Sequence, residues 1–184
     1  MGKLPSDLID PIDQIFYTLT DYFIPFFHKL EFTPNILTTI GNIFGIISIH
    51  FLYNNNFKIF LFFSSVRYFF DCADGQMARK YKMYSKFGDI YDHISDYIYT
   101  SLVVGISLIY VKNINIYILI LISIAFMCGL NWTCEGNVLD YKSPFYIKGF
   151  EKKKCIRSLR FLRFFGPAMS WIYFFLCFYI FKIK

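Results

Sequence analysis

Long apolar runs alternate with short polar stretches along almost the whole chain. A membrane-spanning helix needs about 20 predominantly apolar residues, and five segments approach that length. They are residues 36–53, 57–73, 88–111, 114–133 and 164–181. The stretch 141–161 carries too many charges for an ordinary span, so a sixth helix is either missing or short and interfacial. The pattern predicts an all-α, polytopic membrane helix bundle of five to six transmembrane helices.

The segment before the first span has a different pattern, in which one helix carries both apolar and acidic residues. Apolar side chains recur at helical spacing within residues 8–30, while acidic residues occupy other positions. The apolar set includes Leu8, Ile9, Ile12, Ile15, Phe16 and Leu19. A helix of this kind lies along a membrane interface. We therefore divide the chain into an N-terminal interfacial amphipathic segment, residues 1–32, and a membrane domain, residues 33–184.

Composition and charge support a membrane protein. Of the 184 residues, 56% are hydrophobic, 22% are aromatic and only 17% are charged. A soluble domain of this size has too little interior for so much apolar surface. The formal net charge of +6 favours contact with anionic lipid or phosphate, and no nucleic-acid partner is expected.

Basic residues are unevenly distributed among the loops. The loops at residues 74–87 and 134–163 are rich in Lys and Arg, whereas the intervening loops contain only Lys58 and Lys112. Positively charged loops remain on the cytoplasmic side of a membrane, so the N-terminus and both basic loops are predicted to face the cytoplasm. The basic run within residues 152–163 has two interpretations: a patch that binds anionic lipid, or a positive surface that attracts a nucleotide diphosphate or a phosphorylated acceptor.

Carboxylates concentrate in two neighbouring predicted helices, although a charge near a bilayer is costly. Asp71 and Asp74 are spaced i, i+3 on the first helix. Asp92 and Asp96 are spaced i, i+4 on the second. Because a short loop joins the helices, the two pairs can face each other, and their like charges repel unless cations lie among them. All-oxygen ligation favours a hard ion, so the pattern predicts two Mg²⁺ or Mn²⁺ ions.

Small residues and an arginine surround the predicted metal site. Gly75 lacks a side chain beside Asp74, and the small side chain of Ala78 leaves space on the same helix face. Gly88 opens the start of the facing helix. Arg79 offers a permanently charged guanidinium that suits phosphate oxygens. This combination is typical of a diphosphate site and indicates phosphoryl transfer.

Together these residues form the pattern Asp71-x-x-Asp74-Gly75-x-x-Ala78-Arg79, eight residues, then Gly88-x-x-x-Asp92-x-x-x-Asp96. The chain thereby resembles the CDP-alcohol phosphatidyltransferase (class I) family, with all eight signature positions present. The resemblance covers the first three spans, roughly residues 33–100, and identifies residues 33–184 as the membrane domain of such an enzyme.

The resemblance implies an integral-membrane enzyme of phospholipid synthesis, a homodimer with a polar cavity open to the cytoplasm. It implies that the four aspartates bind two metal ions and that Asp96 also accepts a proton. It implies that the CDP moiety lies near Gly75, Arg79 and Ser85, and that Asn35 and Thr38 lie near the cytidine. In the implied reaction, an acceptor hydroxyl attacks the phosphate bearing the alcohol, and CMP leaves.

The resemblance leaves the donor open between CDP-diacylglycerol and CDP-choline or CDP-ethanolamine. The sequence Tyr91-Asp92-His93 is more similar to the Phe-Asp-His of choline/ethanolamine phosphotransferases than to the Leu-Asp-Pro or Leu-Asp-Met of the glycerophosphate and inositol enzymes. It favours a CDP-amino-alcohol as the donor and diacylglycerol as the acceptor.

Three polar residues near the signature are interpreted separately from it. Asp89 shares a helix face with Asp92 and Asp96, and it either tunes the site or complements the dipole at its helix start. The ring of His93 points off that face, so His93 is not expected to be a metal ligand. Arg67, one turn before Asp71, either pairs with that acid or extends toward the interface.

Two other classes of protein also place acids in membrane helices. A transporter of metal ions or protons would spread its acids through the bilayer depth, whereas these acids cluster at one end. A catalytically inactive homologue serving as a scaffold would have a broken signature, whereas this one is intact. Both remain alternatives to the enzyme.

Overall fold

The computed structural model describes residues 4–139 and 150–182. These residues form seven α-helices and, among them, no β-strand. The helices are α1 (Pro11–Lys29), α2 (Pro34–Tyr53), α3 (Phe57–Tyr81), α4 (Lys86–Ile109), α5 (Ile114–Leu139), α6 (Lys152–Leu162) and α7 (Pro167–Phe181). A 3₁₀ turn, Arg163–Phe165, lies between α6 and α7. The predicted all-α fold is confirmed, and each of the five predicted spans falls largely on a helix.

Local signals explain where the helices around the acidic residues begin and end. The side chain of Thr33 accepts a backbone N–H at the start of α2, and that of Ser85 does the same at the start of α4. Helix α3 ends at Lys82, whose φ of 55° is the left-handed conformation that commonly terminates helices. The turn from α3 into α4 is therefore short, which keeps the acids on the two helices close in space.

The chain divides into two compact units. The first is Phe16–Tyr110, which holds the larger part of α1 together with α2, α3 and α4. The second consists of the described residues before Phe16 and after Tyr110, including α5, α6 and α7. The division of the chain into residues 1–32 and 33–184 stays a prediction.

A small apolar core holds the first unit together beside the acidic residues. Ile24 of α1, Leu37 of α2, and Ala73 and Met77 of α3 are all fully buried in it. The aromatic side chains packed against this core are Phe27, Phe32, Phe70 and Tyr81. Because Asp74 directly follows Ala73, this core fixes the position of the helix turn that carries it.

Three helical stretches among the described residues are long and apolar enough to cross a membrane. They are Pro34–Tyr53, Ile114–Leu139 and the run Lys152–Phe181. Large apolar side chains of Ile114–Leu139 are exposed, as expected for contact with lipid: Leu119 is 65% exposed and Phe126 is 65% exposed. These features indicate an integral, multi-pass membrane protein.

The predicted spans 57–73 and 88–111 lie in α3 and α4, which carry charged residues and are not among those three stretches. The count of five to six spans therefore stays a prediction. The charged stretch 141–161 contains the start of α6, an 11-residue helix with Cys155, Leu159 and Leu162 buried. The rest of that stretch, up to residue 149, lies outside the described residues.

Candidate active site

Two neighbouring helices bring three carboxylates together. Asp71 comes from α3, while Asp92 and Asp96 come from α4, and one oxygen of each lies within 4.8 Å of the others. All three residues are half-buried. Carboxylate oxygens at this separation can share a divalent cation, and an all-oxygen set suits Mg²⁺ or Mn²⁺. The residues that the sequence singled out therefore fit the predicted ion.

The fourth predicted ligand, Asp74, borders this cluster. Its side chain is buried, and its carboxylate accepts a hydrogen bond from the hydroxyl of Thr38 on α2. It also lies within electrostatic reach of Asp92 and Asp96. Thr38, predicted to lie near the cytidine, thus contacts one of the predicted metal ligands directly. The role of Asp74 as a ligand stays a prediction.

A basic residue outside the signature contacts the acidic cluster. Nη2 of Arg67 lies 2.6 Å from Oδ1 of Asp96. The sequence allowed a pair with Asp71, but Asp71 affects Arg67 only through its charge, and the hydrogen-bonded partner is Asp96. The contact joins residues 29 positions apart on different helices, so spacing along one helix could not reveal it.

Arg79, the predicted phosphate-binding arginine, lies over Gly75 on the same helix. A Cβ atom at Gly75 would lie 3.2 Å from Nη1 of Arg79, so the missing side chain makes room for the guanidinium. The guanidinium carbon is 6.0 Å from the ring centre of Tyr17 on α1, and the buried Nε has no hydrogen-bond partner within residues 4–139 and 150–182. Ala78 is partly buried, and its carbonyl accepts the N–H of Lys82 at the helix end.

Three further predicted donor-binding residues form one contact group where α2 and α4 begin. A Cβ atom at Gly88 would lie 2.7 Å from Oδ1 of Asn35 and 2.9 Å from Oγ of Ser85. The Ser85 hydroxyl accepts the N–H of Gly88 at 2.9 Å. Only a residue without a side chain allows this approach. The structure thus brings Asn35, Ser85 and Gly88 together, while their contact with a donor stays a prediction.

A row of polar contacts between α2 and α4 was not predicted. The side-chain amide of Asn42 donates hydrogen bonds to Ser95 at 2.9 Å and to Tyr91 at 3.2 Å. The hydroxyls of Thr39 and Tyr91 are 3.1 Å apart. The signal was present, because Thr39 and Asn42 on α2, and Tyr91 and Ser95 on α4, recur about one helix turn apart. These contacts fix the register of α4 against α2 beside Asp92 and Asp96.

The ring of His93 lies against the backbone of its own helix. Its Nδ1 lies 2.7 Å from the backbone oxygen of Asp89, one turn earlier, and 3.8 Å from a carboxylate oxygen of the same residue. Asp89 is thus next to an imidazole, and it is not one of the three clustered acids.

Comparison with known proteins identifies the family of the chain. The family model for CDP-alcohol phosphatidyltransferases matches residues 31–149, which is more than half of the chain. Neither the curated proteins nor the solved structures gave a match. The matched range includes α2, α3 and α4 and therefore the whole acidic cluster. The chain belongs to the CDP-alcohol phosphatidyltransferase family, a transferase family of phospholipid synthesis.

Proposed function

We propose that this protein transfers a substituted phosphate group from a CDP-alcohol to the hydroxyl of an alcohol acceptor and releases CMP. Membership of the family supports transfer from a CDP-alcohol. The observation that carries the proposal is the convergence of Asp71, Asp92 and Asp96, whose oxygens lie within 4.8 Å of one another. Like charges held so close together repel, and this repulsion is relieved when the site binds cations that also contact a diphosphate.

We assign two divalent cations, Mg²⁺ or Mn²⁺, to these three aspartates together with Asp74. When bound, such ions would neutralise negative charge on a diphosphate. The hydrogen bond from Thr38 holds the Asp74 carboxylate in place. Residues that orient a ligand in this way contribute strongly to metal affinity.

Asp96 is the proposed proton acceptor of the reaction. The oxygen of the acceptor hydroxyl forms a bond to the phosphorus that bears the alcohol, and its proton passes to the Asp96 carboxylate. The bond between that phosphorus and the oxygen of the CMP phosphate breaks, so that CMP leaves with the electron pair. The side chain of Asp96 is 44% exposed, whereas Asp74 is buried, so an acceptor can reach Asp96 more readily.

The CDP moiety is assigned to two adjoining groups of residues. Gly75, Ala78 and Arg79 accommodate the diphosphate, because Arg79 is permanently charged and its buried Nε has no partner in the part of the chain that the structure describes. The cytidine is assigned to the contact group of Asn35, Ser85 and Gly88 with Thr38 nearby. The positive ends of the α2 and α4 helix dipoles also attract negative charge to this region.

For the donor, a CDP-amino-alcohol with diacylglycerol as acceptor is our first candidate, and CDP-diacylglycerol is the alternative. The motif Tyr91-Asp92-His93 supports this order.

We also propose that the protein forms a homodimer with its active site facing the cytoplasm, in a bundle of five to six membrane spans. The basic residues within 74–87, a stretch predicted to be a loop that the structure divides between the end of α3 and the start of α4, support the orientation.

A donor panel tests the proposed function. The full-length protein, purified into lipid vesicles, is incubated with radiolabelled CDP-ethanolamine, CDP-choline or CDP-diacylglycerol and with several alcohol acceptors, in the presence of Mg²⁺ or Mn²⁺. We expect CMP release with one donor class, loss of release with EDTA, and recovery when excess Mg²⁺ is added. A folded protein that releases no CMP from any pair would contradict the proposal. Uptake of Mn²⁺ into the same vesicles would then indicate a transporter.

A further inference from the structure

Arg67 of α3 connects the interior of the first unit to the acidic cluster. Its side chain is 7% exposed, whereas the side chain of its partner Asp96 is 44% exposed. The two charged groups meet at 2.6 Å between Nη2 and Oδ1. One end of this ion pair is therefore held in the protein interior while the other belongs to the site.

An aromatic ring fixes the guanidinium of Arg67. Its central carbon lies 4.1 Å from the ring centre of the buried Tyr99, a distance typical of a cation–π contact. The hydroxyl of Tyr99 is hydrogen-bonded at 3.0 Å to Ser48 of α2 and at 2.8 Å to Ser64 of α3. Because both neighbouring helices hold the ring, the ring gives Arg67 a defined position.

The space that Arg67 occupies depends on Gly45 of α2. A Cβ atom at Gly45 would lie 3.0 Å from Cδ and 3.2 Å from Nε of Arg67, and 3.3 Å from the ring of Tyr99. The same Nε is buried, and the described residues offer it no hydrogen-bond partner. An unsatisfied buried donor is costly, so stability alone does not account for an arginine here. A role in holding Asp96 does.

We propose that Arg67 is a positioning residue that orients the carboxylate of Asp96 for proton transfer. This inference rests on the proposed function of Asp96. The arginine engages Oδ1, which leaves the lone pairs of the other carboxylate oxygen for the cation and for the proton of the acceptor. Its positive charge also offsets the repulsion that Asp71 and Asp92 exert on Asp96. Without the arginine, the Asp96 side chain would turn away from its like-charged neighbours.

Two substitutions and one matched control test this inference. Arg67→Lys keeps the charge but loses the planar group that lies on Tyr99. Gly45→Ala adds a methyl group in steric contact with the Arg67 side chain and alters no charged residue. Gly105→Ala is the control, because it is also an alanine substitution inside a helix, and a Cβ atom there would meet nothing within 4 Å. For each variant, kcat and KM for the donor, the binding of Mn²⁺ followed by electron paramagnetic resonance, and the melting temperature are measured.

We expect Arg67→Lys to lower kcat and the affinity for Mn²⁺, with a loss of about 10- to 100-fold, as found for residues that orient a metal ligand. At saturating Mn²⁺, KM for the donor should change less than kcat, because Arg67 is not among the residues assigned to the CDP moiety. Gly45→Ala should cause a smaller loss of the same kind, and Gly105→Ala none. If Arg67→Lys does not fold, Gly45→Ala alone decides the outcome.

Unchanged kcat and Mn²⁺ affinity in the altered proteins would overturn the inference. A fall in activity that matches the loss of folded protein would also overturn it, because the role of Arg67 would then be structural. A wild-type protein that releases no CMP contradicts the proposed function instead. In that case the Mn²⁺ measurement still tests whether Arg67 positions Asp96, since it does not depend on turnover.

Discussion

Asp10 in the second unit is buried and the three clustered aspartates of the first unit are half-buried, but the partners of these carboxylates differ. The carboxylate of Asp10 accepts backbone N–H groups from Ile12 at 2.8 Å, Asp13 at 3.4 Å and Met169 at 2.9 Å. It lies directly before α1, and it also caps α7, which follows a glycine that has no side chain to do so. In the cluster, by contrast, three carboxylates face one another.

The difference separates a structural acid from acids that serve a ligand. Two helix starts supply Asp10 with N–H donors and with the favourable end of the helix dipole, so this carboxylate is satisfied by the protein alone. Asp96 accepts a hydrogen bond from Arg67, and Asp74 accepts one from Thr38. The mutual repulsion of the carboxylates within the cluster is nevertheless relieved best by cations. Substitution in the cluster should therefore affect activity, whereas substitution of Asp10 should affect stability.

The largest effect is expected for Asp96→Asn. This variant keeps the size of the side chain but removes the proton acceptor, so CMP release should fall by about 100- to 10,000-fold. The melting temperature should change little, because the lost ion pair with the buried Arg67 and the relieved repulsion from Asp71 and Asp92 act in opposite directions. Radiolabelled CMP release and thermal unfolding, measured on one preparation, check both expectations.

Asp89→Asn is the matched control for that experiment. It is the same chemical change on the same helix, at a carboxylate whose neighbour is the imidazole of His93, 3.8 Å away. We expect activity near that of the wild type. Substantial turnover in Asp96→Asn, or an equal loss in both variants, would contradict the role of Asp96.

Asp10→Ala should have the opposite pattern, with a smaller effect. Loss of one helix cap costs about 1–2 kcal/mol, and here two helices lose an acceptor, so the melting temperature should fall. The activity of the remaining folded protein should not change. Asp7→Ala makes the same substitution at an exposed acid of the same segment and should leave both quantities unaltered. A loss of kcat in folded Asp10→Ala would remove the distinction between the two regions.

The parts of this comparison that the sequence could predict are those with a local pattern. Apolar runs predicted the helices, and the i, i+3 and i, i+4 spacings, joined by a short loop, predicted that Asp71, Asp92 and Asp96 would meet. Thr33 and Ser85 are recognisable helix caps because the side chain and the N–H that it accepts are three residues apart.

The rest depends on how distant segments pack. Asp10 and Met169 are 159 positions apart, so no local pattern reveals that one caps the helix of the other. Arg67 reaches Asp96 only because Gly45 leaves space and Tyr99 holds the guanidinium in place. Such contacts become visible only when the helices have been brought together in three dimensions.

The smallest expected effect is the pH dependence of stability that comes from Asp10. Burial raises the pKa of the Asp10 carboxyl above its ordinary value of 3.8, and its bonds from the N–H groups of Met169, Ile12 and Asp13 offset this only in part. The folded protein therefore binds this proton more readily than the unfolded chain, and lowering the pH through the raised pKa adds stability until the ordinary value is passed. The melting temperatures of the wild type and Asp10→Asn, compared from neutral pH to about pH 4, isolate this contribution because every other titrating group is shared. The melting temperature of the wild type minus that of Asp10→Asn should increase as the pH falls. A constant difference would mean that the backbone donors cancel the effect of burial on the Asp10 pKa, and a shift toward Asp10→Asn would mean that they outweigh it and hold Asp10 in its charged form. Either result would contradict the expectation.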